Sequence, residues 1–159
     1  MRSASTGGFE IYDISNNNIT GAAFLGTVGM DWQVMGFGNF SSRGETDMIL
    51  RNVNTGSVEV YDIGNNAILA AYQLGQFATN WQFSGLGGFN GADTTDMLLR
   101  NSGGGFEVCD VANNVMTNAA FMGTVGMDWQ VMGFGNFASF GETDMILRQF
   151  RRYRGLRHS

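Results

Sequence analysis

The chain has 159 residues, 43% hydrophobic and 13% aromatic, with 24 glycines and no proline, too apolar for a disordered chain and furnished with glycine- and asparagine-made turns rather than long helices. The formal charge of −5 is uneven: five Arg face fourteen acids before Gln149, and four further Arg crowd into the last nine residues. This acidic body argues against nucleic acid as a partner, and no run of about 18 apolar residues provides a membrane-spanning helix.

In chain order, the first feature after residues 1–8, which lack the apolar centre of a signal peptide, is an internal repeat. Residues 26–40 (GTVGMDWQVMGFGNF) recur unchanged at 123–137, and 44–51 (GETDMILR) recur at 141–148, with a diverged copy between them. Trp32, Trp81 and Trp129 keep the spacing, as do Arg51, Arg100 and Arg148, and Phe9, Val58 and Phe106. A period of 48 to 49 residues with short, glycine-punctuated segments indicates a propeller or solenoid array, in which each repeat buries its faces against its neighbours. The middle period predicts four strands, over 95–100, 106–111, 115–122 and 129–137.

Asn16-Asn17, Asn65-Asn66 and Asn113-Asn114 tolerate left-handed backbone angles and predict tight hairpins between the second and third strands. Thr55-Gly56 predicts a turn between the first and second. The segments MILR and MLLR are apolar at successive positions, as expected of strands covered on both faces. The best helical rival, AILAAYQL over 67–74, is too short for a helix and is hemmed in by Asn-Asn and Gly.

The order W-Q-V-M-G-F-G-N-F, a polar loop, T-D-M-I-L-R-N, a T-G turn and V-E-V-Y-D-I resembles the bacterial FG-GAP or VCBS-type β-propeller repeat over residues 5–148. The resemblance implies an all-β fold, a partial propeller of about three four-stranded blades, in a secreted or cell-surface bacterial protein. It also implies a calcium-binding loop at 39–47, 88–96 and 136–144. These loops are degenerate: the first acid is replaced by Asn39, Gly88 or Asn136, and the fifth by Arg43, Ala92 or Phe140. Calcium prefers six to eight oxygens with several carboxylates. The residues left for it are Asn90, Asp93 and Asp96 in the middle loop, Glu45 and Asp47 in the first, and Glu142 and Asp144 in the last.

The alternative role for Asp47, Asp96 and Asp144 is structural, either pairing with the Arg four residues on or satisfying backbone groups of the loop. Trp32, Trp81 and Trp129 could stack on sugar rings as ligand-binding residues, but their place at the head of an apolar segment favours filling the wedge between blades. Cys109 replaces Tyr12 and Tyr61 at its position and has no basic neighbour in sequence to activate it. The single His158 lies in the basic tail, leaving no Ser-His pair in the repeats, so no catalytic residue is assigned.

The repeats divide into a partial blade at 5–45, repeats at 46–94 and 95–142, the start of another at 143–148, and a basic tail at 149–159 expected to be disordered. Three blades are too few to close a ring, so the unit is an open arc, a fragment of a longer array, or an assembling unit with open strand edges. The expected function is a non-catalytic binding, adhesion or scaffold segment, whose partner is a protein or glycan, further repeats, or a second copy. The alternatives are a calcium-dependent lectin-like module and a fragment of a larger secreted hydrolase.

Overall fold

The computed structural model describes residues 1–90 and 95–150. Those residues form twelve strands and no helix, arranged in four small antiparallel sheets. The first sheet holds β1 (Gly8–Ser15) and β2 (Asn18–Thr27). The second runs in order through β3 (Trp32–Gly38), β4 (Asp47–Asn52), β5 (Ser57–Gly64) and β6 (Ala67–Gln76). The third repeats this order with β7 (Trp81–Gly87), β8 (Asp96–Asn101), β9 (Gly105–Ala112) and β10 (Val115–Thr124). The last holds β11 (Trp129–Gly135) and β12 (Asp144–Gln149).

The sheets are out of phase with the repeat boundaries drawn at 46, 95 and 143. Each of the last three sheets starts on its Trp strand, because β3, β7 and β11 cross the polar loop to pair with the apolar strand that follows. The strand at 129–137 therefore belongs to the sheet after the one it was grouped with. The tail boundary moves too: Gln149 ends β12, and the Phe150 amide donates to the Asp128 carbonyl at 2.7 Å. Residues 151–159, including His158 and the four clustered Arg, lie outside the described residues.

Local chemistry sets the hairpins. Both residues of each Asn-Asn pair have positive φ, 49° and 62° at Asn16-Asn17 and 50° and 60° at both Asn65-Asn66 and Asn113-Asn114. This is the type I′ geometry that matches strand twist, and asparagine tolerates it. Between β4 and β5 the side chain of Asn52 accepts from the amides of Asn54 and Thr55 at 3.0 and 3.1 Å, and Gly56 closes the turn at φ 77°. Residues 67–74, the helical rival, lie within strand β6.

Three apolar clusters lie between successive sheets. Met48 and Leu50 on β4 pack toward the first sheet with Phe9 and Val28, while Ile49 faces the third sheet with Val58, Val60, Met97 and Leu99. Leu98 turns the other way, to Phe106, Met145 and Leu147. The alternation of a strand thus serves two cores, which explains why MILR and MLLR are apolar throughout. The rows β3, β7, β11 and β2, β6, β10 each stack in sequence order.

Gly56 tests how closely the turns press on the neighbouring chain. A Cβ there would sit 1.8 Å from the Phe77 carbonyl oxygen, whereas at Gly44, of similar φ, it would meet nothing within 4 Å. Gly56→Ala is expected to cost about 3 kcal/mol or more and Gly44→Ala about 1 kcal/mol, as read from urea unfolding midpoints.

Candidate functional site

The loops at 39–47, 88–96 and 136–144 carry the acids that sequence reasoning singled out. In the first, Asp47 is fully buried, and its Oδ2 accepts from the amides of Phe40 and Ser41 at 3.1 and 3.0 Å. Its Oδ1 accepts from the Ile63 amide at 3.3 Å. Asp96 repeats the pattern with the Asn90 amide at 3.0 Å and the Val111 amide at 3.1 Å. Asp144 accepts from the Ala138 amide at 2.7 Å. Both carboxylate oxygens of Asp47 and of Asp96 are thus turned toward backbone donors, tying each loop to its own sheet.

Glu45 and Glu142 are exposed on the rims of their loops. Asp93 lies outside the described residues. Asn90 is brought to Asp96 through its backbone and to Asp110 through its side chain, at 3.1 Å. Among the described residues no group of three or more His, Cys, Asp or Glu side chains is placed to hold a metal.

Asp47 and Arg51 do not pair. Four residues of strand separate them by about 13 Å, and the Arg is used elsewhere. Arg51 donates to the carbonyls of Trp81 and Ala78 at 2.5 and 3.1 Å, in the turn that opens the third sheet. Arg100 donates likewise to Trp129 and Gly126 at 2.7 and 2.9 Å, and Arg2 to Trp32 and Gly29 at 2.5 and 2.8 Å. Each guanidinium crosses from one sheet to the turn of the next, and charge-assisted bonds of this kind are about twice as strong as neutral ones. Desolvation pushes the Arg51 pKa down from its ordinary value, and Arg100 also lies 4.8 Å over the Phe106 ring.

Trp32, Trp81 and Trp129 are half-buried. Trp32 packs against the cluster between the first two sheets and Trp81 against the next. Their carbonyls are the acceptors of the Arg clamp. Two equivalent clefts open between sheets, of about 400 and 430 Å³. Arg51, Gln33 and Gln82 border the first, and Arg100, Gln82 and Gln130 border the second. The three Trp rings are not among the residues bordering either cleft.

Sequence reasoning passed over a second set of acids, Asp13, Asp62 and Asp110, which share one repeat position. Asp62 is fully buried and paired with the Arg43 guanidinium, the residue that replaces an acid in the first loop. Asp110 accepts from the side-chain amides of Asn90 and Asn118, both at 3.1 Å. Asp13 accepts from Asn66 of the adjoining sheet at 2.9 and 3.0 Å. Their recurrence before a hydrophobic residue at the end of the β1-type strand was the available signal.

Burial pushes the Asp96 carboxyl up from its ordinary value, against the backbone donors Asn90, Val111 and Phe89 and with a smaller push from Asp110. A raised carboxyl binds its proton more readily folded than unfolded, so this group adds stability as pH falls through its folded value and withdraws it as pH rises. Cys109 is buried, and desolvation foremost, then Glu107, Asp110 and Asp96, pushes its thiol up to about 12.

Two measurements check these assignments. Asp47→Ala leaves three amides without their acceptor and is expected to cost about 4 kcal/mol, whereas Asp144→Ala, within the same GETDMILR sequence, is expected to cost about 1 kcal/mol in thermal or urea unfolding. Native Cys109 is expected to react with iodoacetamide at pH 8 about a thousandfold more slowly than the same thiol in urea.

Comparison with protein-family models, with curated proteins and with solved structures finds no match to this chain.

Proposed function

We propose that the chain is a non-catalytic binding or scaffold segment of β-propeller type, belonging to a secreted or cell-surface protein. Its sheets are the blades, with the Trp strands as one row of the array and β2, β6 and β10 as the other. The observation that carries this reading is the threefold Arg clamp, in which Arg2, Arg51 and Arg100 each tie one sheet to the turn that begins the next. A contact repeated at every junction does the same mechanical work in each repeat, as expected of a modular array.

The placement of the acids supports a non-catalytic role. Catalysis needs a nucleophile beside a base, or carboxylates converging on a cleft. Here Asp47, Asp96 and Asp62 are spent on backbone amides or an ion pair, and the Cys109 thiol is buried and hard to ionise. The open surface instead offers repeated clefts bordered by Gln33, Gln82 and Gln130 with the clamp Arg. Equivalent clefts at a fixed spacing suit a repetitive partner, a glycan or an extended protein, through several weak contacts at once.

Isothermal titration with calcium chloride and a glycan array test this reading against the lectin-like alternative. No calcium heat, and any partner binding unaffected by a chelator, is the expected result. Glycan binding that requires calcium and disappears in Trp81→Ala would replace it with a calcium-dependent lectin. Hydrolysis of a bound glycan or peptide would overturn the non-catalytic assignment.

A further inference from the structure

The second sheet meets the third, and the third meets the last, through the same contacts, and the β11–β12 sheet and the β1–β2 side carry the two unmated halves of one more. Leu86 lies over Gly36, where a Cβ would come within 2.7 Å of it, and Phe134 lies over Gly85, where a Cβ would come within 2.1 Å. Gly133, the next glycine of this series, has nothing within 4 Å of the same position. Phe37, the counterpart of Leu86 and Phe134, is 60% exposed. Thr95 and Thr143 donate their amides to the carbonyls of Asn39 and Gly88 at 3.1 and 2.9 Å. The third pair in that series, Thr46 and Asn136, is exposed on both sides.

Identical sequence in different surroundings makes the same point. Ile49 and Phe40 are fully buried, while Ile146 and Phe137, within the duplicated segments, are 50% and 60% exposed. To match this apolar face, a mainly apolar cleft of about 480 Å³ runs beside β1, bordered by Ile11, Tyr12, Leu25, Phe37 and Thr46. Asp144 has only the Ala138 bond of its loop among the described residues, whereas Asp47 and Asp96 also hold the amides of Ile63 and Val111 on the strand beside them. Ile14 occupies the position of Ile63 and Val111 on β1.

We propose that a second copy of this chain docks head to tail, its β12 adding antiparallel to β1 to complete a four-stranded sheet in the order β11, β12, β1, β2. The two copies close on each other through two such joints. The register follows from β4–β5, where Met48, Ile49, Leu50 and Arg51 lie opposite Tyr61, Val60, Glu59 and Val58. Met145, Ile146, Leu147 and Arg148 of one copy then lie opposite Tyr12, Ile11, Glu10 and Phe9 of the other, and Phe37 of the second copy covers Gly133 of the first. The surface is continuous with the interface the chain already makes with itself, sheet upon sheet. Two copies joined at both ends hold six four-stranded sheets, within the range of closed propellers of about four to eight blades, and a two-fold axis makes the two joints equivalent.

Met1 and Arg2 occupy part of this edge in the single chain. Arg2 bridges Phe9, the Glu10 amide donates to the Met1 carbonyl at 2.8 Å, and Arg2 fills the clamp on Trp32. They stand where Leu147 and Arg148 of the second copy belong and are displaced on docking. The joint rests on the propeller-type reading above.

The 159-residue chain in a sedimentation-velocity dilution series is expected to show a discrete species of twice the 17.3 kDa chain mass. Gly133→Val, which meets nothing in the single chain, is expected to keep the circular dichroism spectrum and weaken the pair about ten- to a hundredfold. Ile11→Cys/Ile146→Cys is expected to oxidise to a disulfide-linked pair of chains, with Ile19→Cys/Ile146→Cys remaining unlinked and Cys109 out of reach in the core. A monomer at every concentration, an open ladder of larger sizes, a disulfide closed within one chain, or a pair indifferent to Gly133→Val would each overturn the joint. A β-rich monomer whose Arg51→Ala variant is strongly destabilised would do so while leaving the repeat-scaffold reading intact, and a helical spectrum would remove both.

Discussion

The structure depends on one constraint: a strand that is apolar on both faces must be covered on both faces. Burying a Leu, Ile or Met side chain is worth about 1.5–3 kcal/mol, and β4 and β8 each place three such residues at or near zero exposure, divided between two cores. No single sheet can supply that cover. Stability here is a property of neighbours, and the sheet is less a domain than one layer in a stack.

Within that stack the polar residues do two separate jobs. Asp47 and Asp96 act inside a sheet, closing the long loop between its first two strands. The Arg clamp acts between sheets and sets their spacing, because a planar guanidinium must meet two turn carbonyls at once. The acids gathered near these loops therefore do not imply a shared ligand. Asp62 with Arg43, and Asp110 with Asn90 and Asn118, show the same repeat position satisfied by a cation in one sheet and by neutral amides in the next.

Much of the fold was legible in the sequence because the repeat states each element three times. The Asn-Asn hairpins followed from the rarity of residues that accept positive φ in succession, and the doubly covered strands from MILR and MLLR. The phase of the sheets was not legible. A periodic sequence has no intrinsic starting point, and the polar loop at 39–46 looks like a boundary although hydrogen bonding crosses it from β3 to β4. The Arg clamp was half visible. The spacing of Arg51, Arg100 and Arg148 was plain, but a side chain reaching a carbonyl 30 residues on leaves no local pattern, and Arg2 lacked the flanking motif that would align it. Asp62 was missed because it lies at the end of a strand rather than in a loop of familiar composition.

The identity of β3 with β11, down to the bulge between Val34 and Gly36 that recurs between Val131 and Gly133, has a kinetic side. During folding β4 meets two chemically identical strands, and nothing in their local contacts distinguishes β3 from β11, its copy 97 residues further along the chain. Only the shorter loop favours the correct choice, and loop-closure entropy grows slowly with length. The landscape therefore contains a nearly degenerate, strand-exchanged basin, and its escape requires undoing hydrogen bonds as good as the native ones.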